Sequence, residues 1–330
     1  MNNKKLIVFD MDGVIVDVSG SYREAVRQTA RLFLKGIGFE NALPDRLFSL
    51  ADLAGIKQAG GLNNDWELTY HVLTLLMTKI ETPSENPHLD GWACLESLMP
   101  LCDAKALSAY LKSSATPLAD LGKQHSGKKN TWIEHLSTGD VGTGNIIKQI
   151  FQELYLGRDL FKQTYGFAPR THGAEGLINQ EALLIPVSTI KRLAETHRLA
   201  LATGRPRSEA EHALNRFGLQ TFFNITYTLD ECLAEEIKIY EQSGDILHLS
   251  KPHPFMLDTV VEHSSEKLGD LFYIGDMPDD MLAAKNSAYE YTGVGILHSS
   301  PHKQTLKKAL IKAGAELIIQ DADELLAYFS

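Results

Sequence analysis

The chain has 330 residues, 44% apolar and 22% charged, which suits a globular protein of about two domains with enough chain to bury a core. A net charge of −10, with no basic run longer than Lys128-Lys129 or Lys307-Lys308, excludes a nucleic-acid surface or an anionic membrane as the main partner and leaves a small molecule. Cys94, Cys102 and Cys232 have neither paired nor metal-ligand spacing, so three buried thiols in a reducing compartment are expected rather than a disulfide framework or a zinc site.

The start of the chain, "MNNKK", carries the charge of a signal peptide. The apolar run that follows it, Leu6 to Phe9, is too short for a signal core, and no stretch of about 18 apolar residues appears later. A cytoplasmic protein is expected.

Leu6 to Phe9 is continuously apolar, as a central strand covered on both faces should be. Regular alternation of strands and helices resumes only near Pro186, so residues 16–186 read as a domain inserted into one formed by 1–15 and 187–330. The insertion reads as mainly helical. "SYREAVRQTARLFLKG", "WELTYHVLTLLMTKI", "GWACLESLMPL", "DAKALSAYLKS" and "GNIIKQIFQELYLGRDLF" all space their apolar residues near 3.6. Between Ser113 and Gly144 the composition turns to Ser, Thr, Gly, Lys and Asn, which predicts a solvated loop in preference to a mobile lid segment. Phe151, Tyr155, Phe161, Tyr165 and Phe167 are expected in the core of the helical domain.

In the second half, "RLALATG" (198–204) reads as a buried strand, followed by a helix from Pro206 to Phe217 and a weaker strand "FNITY" (223–227). Then come a helix over 253–263, a buried strand over 270–276, a helix over 279–288, the strand "YTGVGIL", the helix "TLKKALIKAG", the short strand "ELIIQ" and a closing helix. This alternation predicts an α/β fold: a Rossmann-like, doubly wound parallel sheet as core, with the mainly helical domain inserted as a cap. Ligands of such sheets sit beyond the carboxyl ends of the strands.

Chemistry-bearing residues fall at those ends. Asp10 and Asp12 are one residue apart as the first strand ends, so their side chains can enter one mouth, and Gly13 lets the chain turn. Alone, Asp-Met-Asp-Gly is equally an acidic turn. Thr203 and Gly204 close the next core strand with a hydroxyl and a backbone N–H suited to a phosphate oxygen, Lys251 opens "SKPHP", and "YIGDMPDD" adds Asp276, Asp279 and Asp280. Acids for a divalent cation and a lysine and hydroxyl for an anion converge on one crevice.

At these segments the sequence resembles the haloacid dehalogenase superfamily: "FDMDGVIVD", "LATGRP", "SKPHP" and "IGDMPDDMLAA" are similar to its four motifs, in their order and setting. An insertion directly after the first motif resembles the subfamily, termed IA, with a helical cap there. "SYREAV", "GGLNNDW", "IFQELYLG" and "TGRPRSEAE" look similar to one less-characterised branch of it.

The resemblance implies a Mg²⁺-dependent phosphatase acting on a small soluble phosphate ester. Asp10 would be the nucleophile that forms an aspartyl phosphate, and Asp12 the general acid and then base. Mg²⁺ would be held by Asp10, the Asp12 carbonyl and Asp276, with Asp280 in support through water, while Thr203 and Lys251 hold the phosphoryl oxygens. A dehalogenase of the family lacks the second acid, so Asp12 points to phosphoryl transfer. A phosphomutase with the same motifs is the alternative, followed by a non-catalytic ligand-binding or regulatory protein.

Weaker signals remain. Asn64, three residues before Glu67, suits a helix cap; a substrate-facing role is the competing reading for Asn63, Asn64 and Trp66. Arg205 either reaches a second anionic group of the substrate or makes a surface salt bridge, to Glu209 or near Asp10. Asp279 is expected to cap the helix that follows it. The histidines show no ligand spacing, and nothing in the sequence sets an oligomeric state.

Overall fold

The computed structural model describes residues 4–58, 65–83, 89–125, 127, 129–264 and 269–330. Its contacts divide into two units, Met1–Asp17 with Ala182–Ser330, and Val18–Glu181.

The chain opens with strand β1 (Leu6–Phe9), every side chain of which is buried, and the short β2 (Val16–Asp17). The helical unit follows. It begins with α1 (Tyr22–Phe33), α2 (Leu50–Gln58), α3 (Asp65–Met77), α4 (Gly91–Leu98) and α5 (Lys105–Ser113). It continues through α6 (Pro117–His125), α7 (Thr131–Leu136) and the long α8 (Ile146–Tyr165). Tyr22 of α1 stacks on Tyr155 of α8 with ring centroids 4.1 Å apart, and Phe151 and Phe161 are fully buried in the same unit. Tyr165 is only half-buried and Phe167 is exposed, so the aromatic core is smaller than the sequence implied.

The segment expected as a loop, 113–144, contains α6 and α7. Each exists because a side chain satisfies its first N–H groups and a few apolar residues are buried. The N–H groups of Leu118 and Ala119 donate to the Asp52 carboxylate of α2, at 2.8 and 3.1 Å. Those of Trp132 and Ile133 donate to Asn130 Oδ1, both at 3.1 Å. Leu118, Leu121, Ile133 and Leu136 are buried, and each such side chain adds about 1.5–3 kcal/mol.

The remainder completes the α/β unit. In order it has β3 (Ala182–Leu183), α9 (Val187–Thr196), β4 (Arg198–Ala202), α10 (Arg207–Phe217), β5 (Ile225–Tyr227) and α11 (Leu229–Ser243). After these come α12 (Phe255–Glu262), β6 (Leu271–Gly275), α13 (Pro278–Asn286), β7 (Tyr291–Ile296), α14 (Lys303–Ala313), β8 (Leu317–Ile319) and α15 (Ala322–Phe329). The small strands β2 and β3, absent from the sequence reading, pair antiparallel, with Val16 opposite Leu183.

The main sheet runs β5-β4-β1-β6-β7-β8, and its neighbours are all parallel. This is the Rossmann-like, doubly wound order, whose direction reverses between β1 and β6. Phe9 lies level with Leu201 of β4 and Ile274 of β6, so residues leaving these strands meet at one end of the sheet. Val8, Ala202, Met256, Val260, Tyr273 and Ala284 belong to the core that fixes this register.

Candidate active site

The turn after β1 is built around one carbonyl. Met11 O accepts from the N–H groups of Val14, Ile15 and Val16, which curls the chain beyond Asp10. Gly13 sits at φ +73°, and a Cβ there would lie 2.0 Å from Asp276 Oδ2, so glycine is required by backbone conformation and by the approach of the second acid. The same holds opposite: a Cβ on Gly275 would lie 2.2 Å from the Cβ of Asp280. Two glycines therefore admit the carboxylates that close on Asp10.

Asp10, Asp276 and Asp280 are all buried and offer carboxylate oxygens within 4.8 Å of one another. Charges at that spacing repel by about 3–4 kcal/mol per pair at an effective dielectric near 20. Lys251 provides the first compensation, its Nζ lying 2.9 Å from Asp10 Oδ1 and 2.7 Å from Asp280 Oδ1. Burial alone would lower the lysine, but the carboxylates of Asp10 and Asp280 outweigh it and hold Lys251 well above its ordinary value, hence cationic. One lysine shared by two acids leaves Asp10 short of compensation. Burial first, and then Asp280, Asp12 and Asp276 against the opposing Lys251, push the Asp10 carboxyl up to about 8.

Asp280 is fixed on both oxygens. Oδ1 receives Lys251 and the Tyr273 hydroxyl at 3.0 Å, and Oδ2 accepts the Met277 N–H at 2.9 Å. Asp280 is thus the residue that caps α13, the place the sequence reading gave to Asp279. Asp279 is instead half-buried, and burial, then Asp280, raises its carboxyl. Asp276 Oδ2 accepts the Ser299 hydroxyl at 2.9 Å, from just beyond β7.

On the β4 side, Thr203 is fully buried and its hydroxyl accepts the Arg205 N–H at 3.2 Å, while Thr203 N–H donates to Tyr227 O at 3.0 Å. Thr203 and Gly204 stand at the same sheet end as Asp10, just past the strand paired with β1. Arg205 departs from expectation. It is fully buried rather than a surface side chain, and its Nε donates to Asp12 Oδ1 at 2.5 Å, so an internal ion pair replaces the surface bridge. The Asp12 carboxylate, about a third exposed, turns to Arg205 and is not among the three clustered acids.

Trp66 lies in the first turn of α3 in the helical unit, with Lys148 Nζ 4.3 Å above its ring and Lys148 paired to Asp140 at 2.7 Å. Asn63 and Asn64 fall outside the described residues. The partners that sequence reasoning missed are Tyr273 and Ser299. Tyr273 hides within an apolar strand, and Ser299 lies 23 residues beyond the acid it holds. No local pattern links such pairs.

The donor set fits a divalent cation. Asp10 Oδ1 is buried without a hydrogen bond, the Lys251 ammonium being its close cation among the described residues, and the surrounding ligand atoms are hard oxygens. The three cysteines are buried free thiols. Among the described residues no helix is long and apolar enough to cross a membrane.

Comparison with known proteins places the chain among relatives of the same fold. The chain is 22% identical over 323 residues to a protein named imidazoleglycerol-phosphate dehydratase from Phytophthora nicotianae, a match covering 95% of this chain and 49% of that one. The chain therefore spans about half the length of this curated relative. It shares its fold with phosphatase Tt82 from Thermococcus thioreducens, at 18% identity, a TM-score of 0.52 and coverage of 93% and 99% of the two chains. A structural-genomics target has the same fold at 19% identity, a TM-score of 0.60 and coverage of 98% and 97%. A family profile described as haloacid dehalogenase-like hydrolase matches residues 4–287, the stretch from β1 through α13 that carries every acid of the cluster, and the chain belongs to that family.

Proposed function

We propose that the protein is a Mg²⁺-dependent phosphatase that hydrolyses a small phosphate monoester through an aspartyl phosphate on Asp10. The observation that carries this reading is Asp10 clustered with Asp276 and Asp280 while Lys251 spans Asp10 and Asp280. Asp10, the Asp12 carbonyl and Asp276 would hold Mg²⁺, which would supply positive charge to favour the ionised Asp10 carboxylate and to screen it from an anionic ester.

In the first step a carboxylate oxygen of Asp10 attacks phosphorus, the ester P–O bond breaks, and Asp12 gives its proton to the leaving alkoxide. In the second, Asp12 takes a proton from water, which attacks phosphorus, releases inorganic phosphate and restores Asp10. Lys251 and the Thr203 hydroxyl, with the Gly204 N–H, hold the phosphoryl oxygens as charge builds. The helical unit acts as the cap, where substrate choice resides in residues such as Asn63, Asn64 and Trp66.

The test is phosphate release from a panel of metabolite monophosphates with Mg²⁺ and with EDTA, using Asp10→Asn as control. Imidazoleglycerol phosphate joins the panel because the Phytophthora relative is named for it. Cation-dependent release concentrated on one ester supports the reading. Isomerisation of a sugar phosphate without net phosphate release would replace it with a phosphomutase, and tight ligand binding with no turnover by a binding protein.

A further inference from the structure

Helix α11 is held to its unit by little of its own surface. Of its residues only Cys232 is buried, with Ile239 partly packed on the core. The outer face is apolar: Leu233, Ile237 and Tyr240 follow one another at helical spacing and are 46%, 59% and 58% exposed. Ile246 and Leu247, just past the Gly244 cap, are exposed as well, at 78% and 46%. A capping box of Thr228 and Glu231 starts the helix, but a helix of this length draws most of its stability from packing, which this face does not receive among the described residues. An exposed apolar stripe of this kind marks an interaction site.

The charges around the stripe select the occupant. Between Leu229 and His248 the sequence carries six carboxylates, those of Asp230, Glu231, Glu235, Glu236, Glu241 and Asp245; Arg207 of α10 pairs with Glu231 and Lys238 with Glu235, which leaves the rim acidic toward Glu236, Glu241 and Asp245. An anionic membrane or a nucleic acid would be repelled. A second copy would bring the same acids face to face across a two-fold axis, in a chain already at −10.

We propose that the outer face of α11 docks a basic amphipathic helix of another protein, with its apolar ridge on Leu233, Ile237 and Tyr240 and its lysines or arginines on the acidic rim. This surface lies outside the acid cluster, so it stands or falls separately from the phosphatase reading.

The probe is a fluorescein-labelled Leu/Lys amphipathic helical peptide of about five turns, with a Leu/Glu peptide as control, titrated against the whole protein by anisotropy. Binding of the Leu/Lys peptide alone is expected, weakened by about tenfold or more in Ile237→Ser/Tyr240→Ser and in Glu241→Gln/Asp245→Asn, with unchanged circular dichroism. No binding, or binding indifferent to the serine pair, would overturn the proposal. So would sedimentation showing a wild-type dimer that the serine pair dissociates, since a second copy would then be the occupant.

Discussion

Arg205 Nε donates to Asp12 Oδ1 at 2.5 Å, joining the end of β4 to the turn after β1 through a guanidinium with no exposed surface. The pair sets the direction of the one acid in the site that is not clustered with the others. Arg205→Met should lower turnover by about two orders of magnitude and stability by about 2–4 kcal/mol, the loss being moderated because Asp12 keeps contact with water. Arg205→Lys should recover stability better than turnover, since an ammonium lacks the Nε donor geometry. Urea midpoints and steady-state kinetics on the two variants check this; equal recovery of both would make Arg205 a structural residue only.

Protonation of Asp10 and uptake of a cation compete. The folded carboxyl titrates at about 8 and the unfolded one at 3.8, so its contribution to stability is complete below the unfolded value and is lost as pH rises through about 8. The cation-free protein should therefore soften toward alkaline pH, and the cation should reverse this. Apparent Mg²⁺ affinity should rise about tenfold per pH unit as pH climbs from about 6 to 8, then level off, as one displaced proton requires. Calorimetric titrations at several pH values measure the slope; a flat profile would mean that Asp10 is already ionised in the cation-free site.

Tyr273 steadies the lysine from behind. Its hydroxyl donates to Asp280 Oδ1, the atom that also receives Lys251, and lies 3.3 Å from Ala202 O. Tyr273→Phe keeps the ring in the core and removes only these bonds. Stability should fall by about 1 kcal/mol and turnover by about tenfold, with KM little changed. A change confined to KM would place the effect on ground-state binding instead.

Ser299 does the same for Asp276. Losing its hydrogen bond in Ser299→Ala loosens the carboxylate, and cation affinity should drop by about 10- to 100-fold while the fold stays intact. Titration of the variant with Mn²⁺, read by its magnetic resonance signal, measures this directly; unchanged affinity would show that Ser299 does not position Asp276 for the cation.

Much of this protein is set by short-range rules. The run Leu6–Phe9 had to be a strand buried on both faces, and acids at strand ends had to share a mouth, because side-chain direction and parallel register follow from local pattern. Asp10 and Asp276 were legible for that reason, whereas Lys251 and Asp280 were legible together with the motifs that resemble the family's. Other features were decided by contacts between distant residues. α6 starts where Asp52 of another helix receives its N–H groups, so loop-like composition between Ser113 and Gly144 misled. α11 went unseen because its apolar residues face outward and only Cys232 is buried. The partners of Asp12, Asp276 and Asp280 come from β4, from the end of β7 and from within β6, and only the packed sheet, by aligning strands far apart in the chain, brings a guanidinium, a hydroxyl and a phenol within hydrogen-bonding distance of them.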